Sequence, residues 1–200
     1  GAIEAASPAS FVDDAIAEIR IARALMGEQN AKVSTVFFGG GTPTLLPASS
    51  LAAVLAAIDD QFGLAVDAEV TTEANPESVN PNYFDELLGA GFTRISLGMQ
   101  SSAASVLATL DREHTAGRAP QAAREAFAAG FSEVSLDLIY GTPGETDDQW
   151  QQSLHDALAA EPTHVSAYSL IVEQGTKMAR LVKSGVLEPT DDDVLARRYE

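Results

Sequence analysis

The 200-residue sequence contains no cysteine. Disulfides are therefore excluded, and so is any thiolate-held metal or cysteine-ligated iron–sulfur cluster within these residues. No apolar run approaches the roughly 20 residues of a membrane-spanning helix. The first ten residues have neither the basic start nor the long apolar centre of a secretory signal. Bases are scarce: 12 Lys and Arg stand against 29 Asp and Glu, a net charge of −17. A nucleic-acid surface needs clustered Lys and Arg, so no nucleic-acid partner is expected. Aromatics make up only 6%, with no evident platform for stacking bases; Phe37 and Phe38 read as core. His114, His155 and His164 show no metal-ligand spacing and read as surface or packing residues. No metal ligand is expected, and a cytoplasmic location without a transmembrane segment is the default.

What is present is a globular chain. Hydrophobic residues make up 46% and charged residues 20%, enough for one domain with a sizeable core. The organising stretch is VSTVFFGGGTP, Val33–Pro43. Its β-branched and aromatic run reads as a buried strand. Gly39, Gly40 and Gly41 then remove every Cβ, so another molecule can approach bare backbone groups. A tight turn with no ligand is the competing reading. The glycines lack the G-x-G-x-x-G spacing of a dinucleotide site, and no lysine follows to make a phosphate loop.

Around this stretch, strands and helices alternate. A helix is expected from Ser10, as its cap, to about Gly27, and others over 47–62, 80–88, 102–110, 120–129, from 146 or 147 to 160, 176–183, and from 190 onward. Strands are expected over 33–38, 68–74, 94–98, 133–138 and 164–169. This is an α/β pattern with a parallel sheet and helices outside it. A closed eight-stranded barrel takes about 250 residues. Five strands make either an open sheet or part of a barrel.

Each strand runs into an unusual polar group. The first gives Gly40, Gly41 and Thr42; the second, Glu73 and Asn75; the third, Gln100 and Ser101; the fourth, Asp137; the fifth, Ser166 and Tyr168. In a parallel barrel these ends share one rim. Carboxylates, an amide and open backbone gathered there suit a ligand with hydroxyls and a zwitterion. Arg112, at the end of a short helix, could fork onto a ligand carboxylate. Glu73 also reads as a helix cap, and Gln100 and Arg112 taken singly are open to structural readings. Asp137 is harder to explain structurally, because a carboxylate in an apolar strand is costly without a partner.

Six segments occur in order: GGGTP (39–43), TTEANPES (71–78), RISLGMQSS (94–102), DREHT (111–115), SLDLIYGTPGET (135–146) and AYSLIVEQGT (167–176). Together they resemble radical S-adenosylmethionine proteins of the oxygen-independent coproporphyrinogen III oxidase type, over essentially the whole chain. Ala74-Asn75-Pro76, Ser101-Ser102 and Arg112-Glu113-His114 resemble the heme chaperone branch of that family more than the oxidase. The resemblance implies an open, partial TIM-like barrel, with residues 1–200 forming part of a radical SAM core domain. It also implies roles. Gly40, Gly41 and Thr42 would hold the methionine end of S-adenosylmethionine. Glu73, Gln100 and Asp137 would bind around its ribose and methionyl portions, and Arg112 would pair with its carboxylate. Heme would be the cargo, passed to heme-requiring membrane or respiratory proteins; the alternative is coproporphyrinogen oxidation.

The chain departs from the family in one respect. The Cys-x-x-x-Cys-x-x-Cys loop that holds a [4Fe–4S] cluster in this family is absent from these residues. The expectation is a central fragment, with the cluster loop and a C-terminal domain lying outside it.

Overall fold

The computed structural model describes residues 8–27, 32–112, 115 and 117–200. Helix α1 (Pro8–Met26) leads to strand β1 (Val33–Phe38), followed by α2 (Ala48–Phe62), β2 (Leu64–Ala74), α3 (Pro81–Ala90) and β3 (Arg94–Gln100). Two short helices, α4 (Ala104–Thr109) and α5 (Arg118–Ala129), precede β4 (Glu133–Tyr140). The chain continues through α6 (Asp147–Leu158), β5 (His164–Ser169), α7 (Lys177–Lys183) and α8 (Asp192–Tyr199). The five strands form one sheet in the order β1-β2-β3-β4-β5. Every pairing is parallel. The sheet curls into an open half-barrel, the partial TIM-like form that the motifs imply.

Strand alternation separates core from cavity. In β3, Ile95, Leu97 and Met99 are buried, while Ser96, Gly98 and Gln100 line the concave side. In β4, Val134, Leu136, Leu138 and Tyr140 enter the core, while Asp137 and Ile139 line that same concave side. This period of two is what a strand requires when its faces meet different surroundings. The core between sheet and helices is built on Phe84, Leu87, Phe92 and Leu97. Phe38 joins it with its ring 5.0 Å from that of Phe92. Trp150 of α6 lies 5.2 Å from the Tyr140 ring.

Local chemistry sets several boundaries. Thr146 caps α6: its hydroxyl accepts from the Gln149 N–H, and the Gln149 side chain accepts from the Thr146 N–H. Gly91, at φ 102°, closes α3, and Gly89 remains inside the helix.

Some expectations need correction. Ser10 lies inside α1, which begins at Pro8, so it is not the cap. Strand β2 begins at Leu64 rather than Ala68. The Asp59 carboxylate holds the Leu64 N–H, and Val33 pairs with Leu64 before a register shift brings Thr35 opposite Glu69. Asn80 and Asp191 cap α3 and α8 from outside. Thr190 does not start α8, because its hydroxyl is given to the Gly141 carbonyl at 2.8 Å. Ser102 does not open α4; Ser101 and Ser153 accept the N–H groups of Ala103 and Ser102 instead. Phe37 is not core but 62% exposed. It is opposite Thr71 on edge strand β1, while its neighbour Phe38 turns toward the helices.

Candidate functional site

The C-terminal ends of β1 to β4, with the chain leaving β5, surround a cavity of about 440 Å³. Gly40, Gly41, Thr42, Glu73, Gln100, Arg112 and Asp137 all line it. Asn75 and Tyr168 line it too, but Ser101 faces away, bonded to Ser153 at 3.0 Å. Ser166 is not among the lining residues. His155 and His164 are exposed on the surface, and His114 lies outside the described residues.

Each group arrives by an identifiable route. Gly40 takes φ 117°, a conformation that side chains resist. Its N–H donates to Glu73 Oε2 at 3.2 Å, tying the glycine turn to β2. A Cβ placed on Gly41 would meet nothing within 4 Å, so the backbone there opens onto free space. Glu73 therefore braces the turn rather than capping a helix.

Gln100 sits at φ 63°, just past a bulge in which Gly98 pairs with Asp137 and Gln100 with Leu138. Bulges re-aim side chains, and here the Gln100 amide folds back over Gly98. A Cβ on Gly98 would lie 2.8 Å from Gln100 Nε2. Arg112 follows Asp111, whose φ of 57° ends α4; the Arg112 N–H then bonds back to the Leu107 carbonyl at 2.9 Å. Among the described residues, no carboxylate pairs with the Arg112 guanidinium. Asp137 accepts from Ser96 Oγ at 2.8 Å and from Ser135 Oγ at 3.4 Å.

Chemically, the cavity offers two carboxylates, an amide, a guanidinium and open backbone on one side. Ile139, Leu170 and Ile171 supply an apolar remainder. Sequence reasoning missed Ser96, Gly98, Ile139 and the run from Ser169 to Ile171. Stepping by two from Asp137 and Gln100 would have found the first three. The last run lies within AYSLIVEQGT, but only Ser169 belongs to β5, and Leu170 and Ile171 follow it without regular structure, so no period pointed to them.

The sequence pattern of the radical SAM superfamily matches residues 12–157. The chain belongs to the radical SAM superfamily. It is 56% identical over 184 residues to the heme chaperone HemW of Mycobacterium tuberculosis, covering 92% of this chain and 47% of that one. It is 37% identical over 172 residues to the mitochondrial radical S-adenosyl methionine domain-containing protein 1 of Danio rerio, covering 86% of this chain and 39% of that one. In three dimensions it matches the coproporphyrinogen III oxidase HemN of Escherichia coli, a radical SAM enzyme, with a TM-score of 0.82 at 25% identity. That match covers 95% of this chain and 44% of the other. The chain thus spans about half the length of the curated relatives it matches.

The superfamily implies S-adenosylmethionine and a [4Fe–4S] cluster. These residues do not fit the cluster: they include no thiolate, and no described group of three His, Asp or Glu could hold a metal ion. The donor set of the cavity fits S-adenosylmethionine. Among the described residues, no helix is long and apolar enough to cross a membrane.

Proposed function

We propose that the chain is part of the core domain of a radical SAM heme chaperone, which binds S-adenosylmethionine in the strand-end cavity and delivers heme to heme-requiring membrane or respiratory proteins. The observation that carries this reading is the meeting of Glu73, Gln100, Arg112 and Asp137 around one cavity in a chain 56% identical to HemW. The guanidinium of Arg112 would take the methionyl carboxylate. Backbone at Gly40 and Gly41, with Thr42, would hold the methionine end. Glu73, Gln100 and Asp137 would accept from, or donate to, the ribose and methionyl groups. When bound, S-adenosylmethionine supplies the family's reductive cleavage chemistry; the residues here bind and orient it. A cytoplasmic setting is part of the proposal, and cell fractionation checks it.

Titrating the intact protein with heme should give saturable binding in the Soret absorbance. A linear, unsaturable response would remove the heme reading. The second reading is oxidation of coproporphyrinogen III with loss of carbon dioxide, favoured by the TM-score of 0.82 to the Escherichia coli oxidase. An anaerobic assay separates the two: protoporphyrinogen formation supports oxidation, while heme transfer without it supports the chaperone.

Three substitutions at the site have expected results. Asp137→Ala and Arg112→Ala should each weaken S-adenosylmethionine binding by about 1–3 kcal/mol, the range for losing a hydrogen bond to a charged group. Calorimetry on the intact protein checks this, and unchanged affinity would contradict the assignment. Gly98→Ala should act differently. Its methyl group would drive the Gln100 amide off its seat, weakening binding about tenfold, or about 1.4 kcal/mol. Thermal stability should hold or rise, since the alanine restricts the unfolded chain. A large fall in melting temperature would refute that separation.

A further inference from the structure

We infer that Ser96 is a positioning residue that fixes the carboxylate plane of Asp137 for a ligand's neighbouring hydroxyls. This rests on the assignment of the cavity to a sulfonium nucleoside. Ser96 is only 8% exposed, on the cavity floor between the two carboxylates. In register it is opposite Glu73 on one side and Ser135 on the other. A serine hydroxyl has one proton to give. Here it goes to Asp137 Oδ2 at 2.8 Å, while Glu73 is held separately by the Gly40 N–H. Each carboxylate therefore has its own holder.

The need for a holder follows from the side chain. The terminal torsion of aspartate is broad, so its carboxylate plane is not set by rotamer preference. The Ser135 hydroxyl, at 3.4 Å from Oδ1, is too long to fix the plane strongly. Ser96 pins Oδ2 toward β3, and with it the direction of the remaining lone pairs. Accepting from two adjacent hydroxyls requires both oxygens at set angles. A carboxylate free to turn keeps its charge but loses that fit.

The test is a mutant cycle on the intact protein, read by calorimetry with S-adenosylmethionine and with its 2′,3′-dideoxyribose analogue. Ser96→Ala should weaken S-adenosylmethionine binding about tenfold and change affinity for the analogue little. In an Asp137→Asn background the same substitution should have almost no further effect, because the residues act as a unit. Ser96→Thr, which keeps the hydroxyl, should stay within about threefold of wild type. If Ser96→Ala does not fold by circular dichroism, Ser96→Cys replaces it, since a thiol is only a weak donor. Full additivity of the two losses, or equal losses for ligand and analogue, would overturn the inference. Wild-type protein that binds S-adenosylmethionine while Ser96→Ala binds it equally well sinks this inference alone. Wild-type protein that does not bind it at all sinks the nucleoside assignment and this inference together.

Discussion

Arg198→Ala is expected to destabilise the fold by about 3–5 kcal/mol, the range for breaking a buried ion pair from one side. Arg198, on α8, donates from Nη1 to Glu145 Oε2 at 2.7 Å, from Nη2 to the Glu145 carbonyl at 2.8 Å, and from Nε to Asp147 Oδ1 at 2.9 Å. The side chains of Arg198 and Glu145 are 5% and 0% exposed. Removing the guanidinium leaves a buried carboxylate with only backbone N–H groups, Gly141 at 2.7 Å and Thr142, to hold it. Glu145 Oε1 already lacks a partner. Burial pushes the Glu145 carboxyl above its ordinary value near 4.5, against the Gly141 N–H and Arg198, which pull it down. A raised acid binds its proton more readily when folded, so its cost is absent below 4.5 and grows as pH rises through the folded value. Without Arg198 that value rises further. The variant's deficit should therefore be largest at neutral pH and shrink on acidification toward 4.5. Urea denaturation at both ends of that window checks it. A deficit that does not depend on pH would show that lost packing, not an unpaired charge, is the cause. Replacing both partners, as Arg198→Met with Glu145→Gln, should recover much of the loss.

Gly141→Ala is expected to cost about 2–5 kcal/mol, combining strain at a left-handed backbone with overpacking. Gly141 is buried at φ 81°, directly after β4. A Cβ there would overlap Cδ2 of Leu195 on α8. Its N–H and C=O are both engaged, by Glu145 and by Thr190. A leucine can turn aside, but here it packs against the core and its helix is already held by Arg198. Gly141→Ala and Arg198→Ala disturb the same attachment of α8, so their combined cost should fall short of the sum. Thermal melts of the two single variants and the double variant test this. Simple addition would mean that the helix is held at separate places.

Some elements of the fold were legible in the sequence and others were not. Strong periods and punctuation were readable: β1 and β5 match in extent, and the start of α6 falls at the expected 146 or 147, with the structure assigning the cap to Thr146. The cavity residues were readable because polar side chains ended apolar strands. The start of β2 was not, because Asp67 interrupts the apolar pattern and the pairing of Leu64 depends on a register shift in another strand. Ser96 was passed over because a serine inside RISLGMQ carries no signal by itself. Its meaning comes from Asp137, 41 residues later in the chain. The exposure of Phe37 was missed for a related reason: composition marks an aromatic as buried, but only the face that the helices cover shows which of two neighbours is packed.

The strand order β1-β2-β3-β4-β5 has a consequence for how the molecule is made. Each strand docks against the one synthesised just before it, and none must be threaded between two already paired. Every pairing in the half-barrel therefore joins strands that are neighbours in the chain, which keeps the loops closed during folding short. The pocket floor needs Glu73, Ser96 and Asp137 together, so it is finished only when β4 arrives.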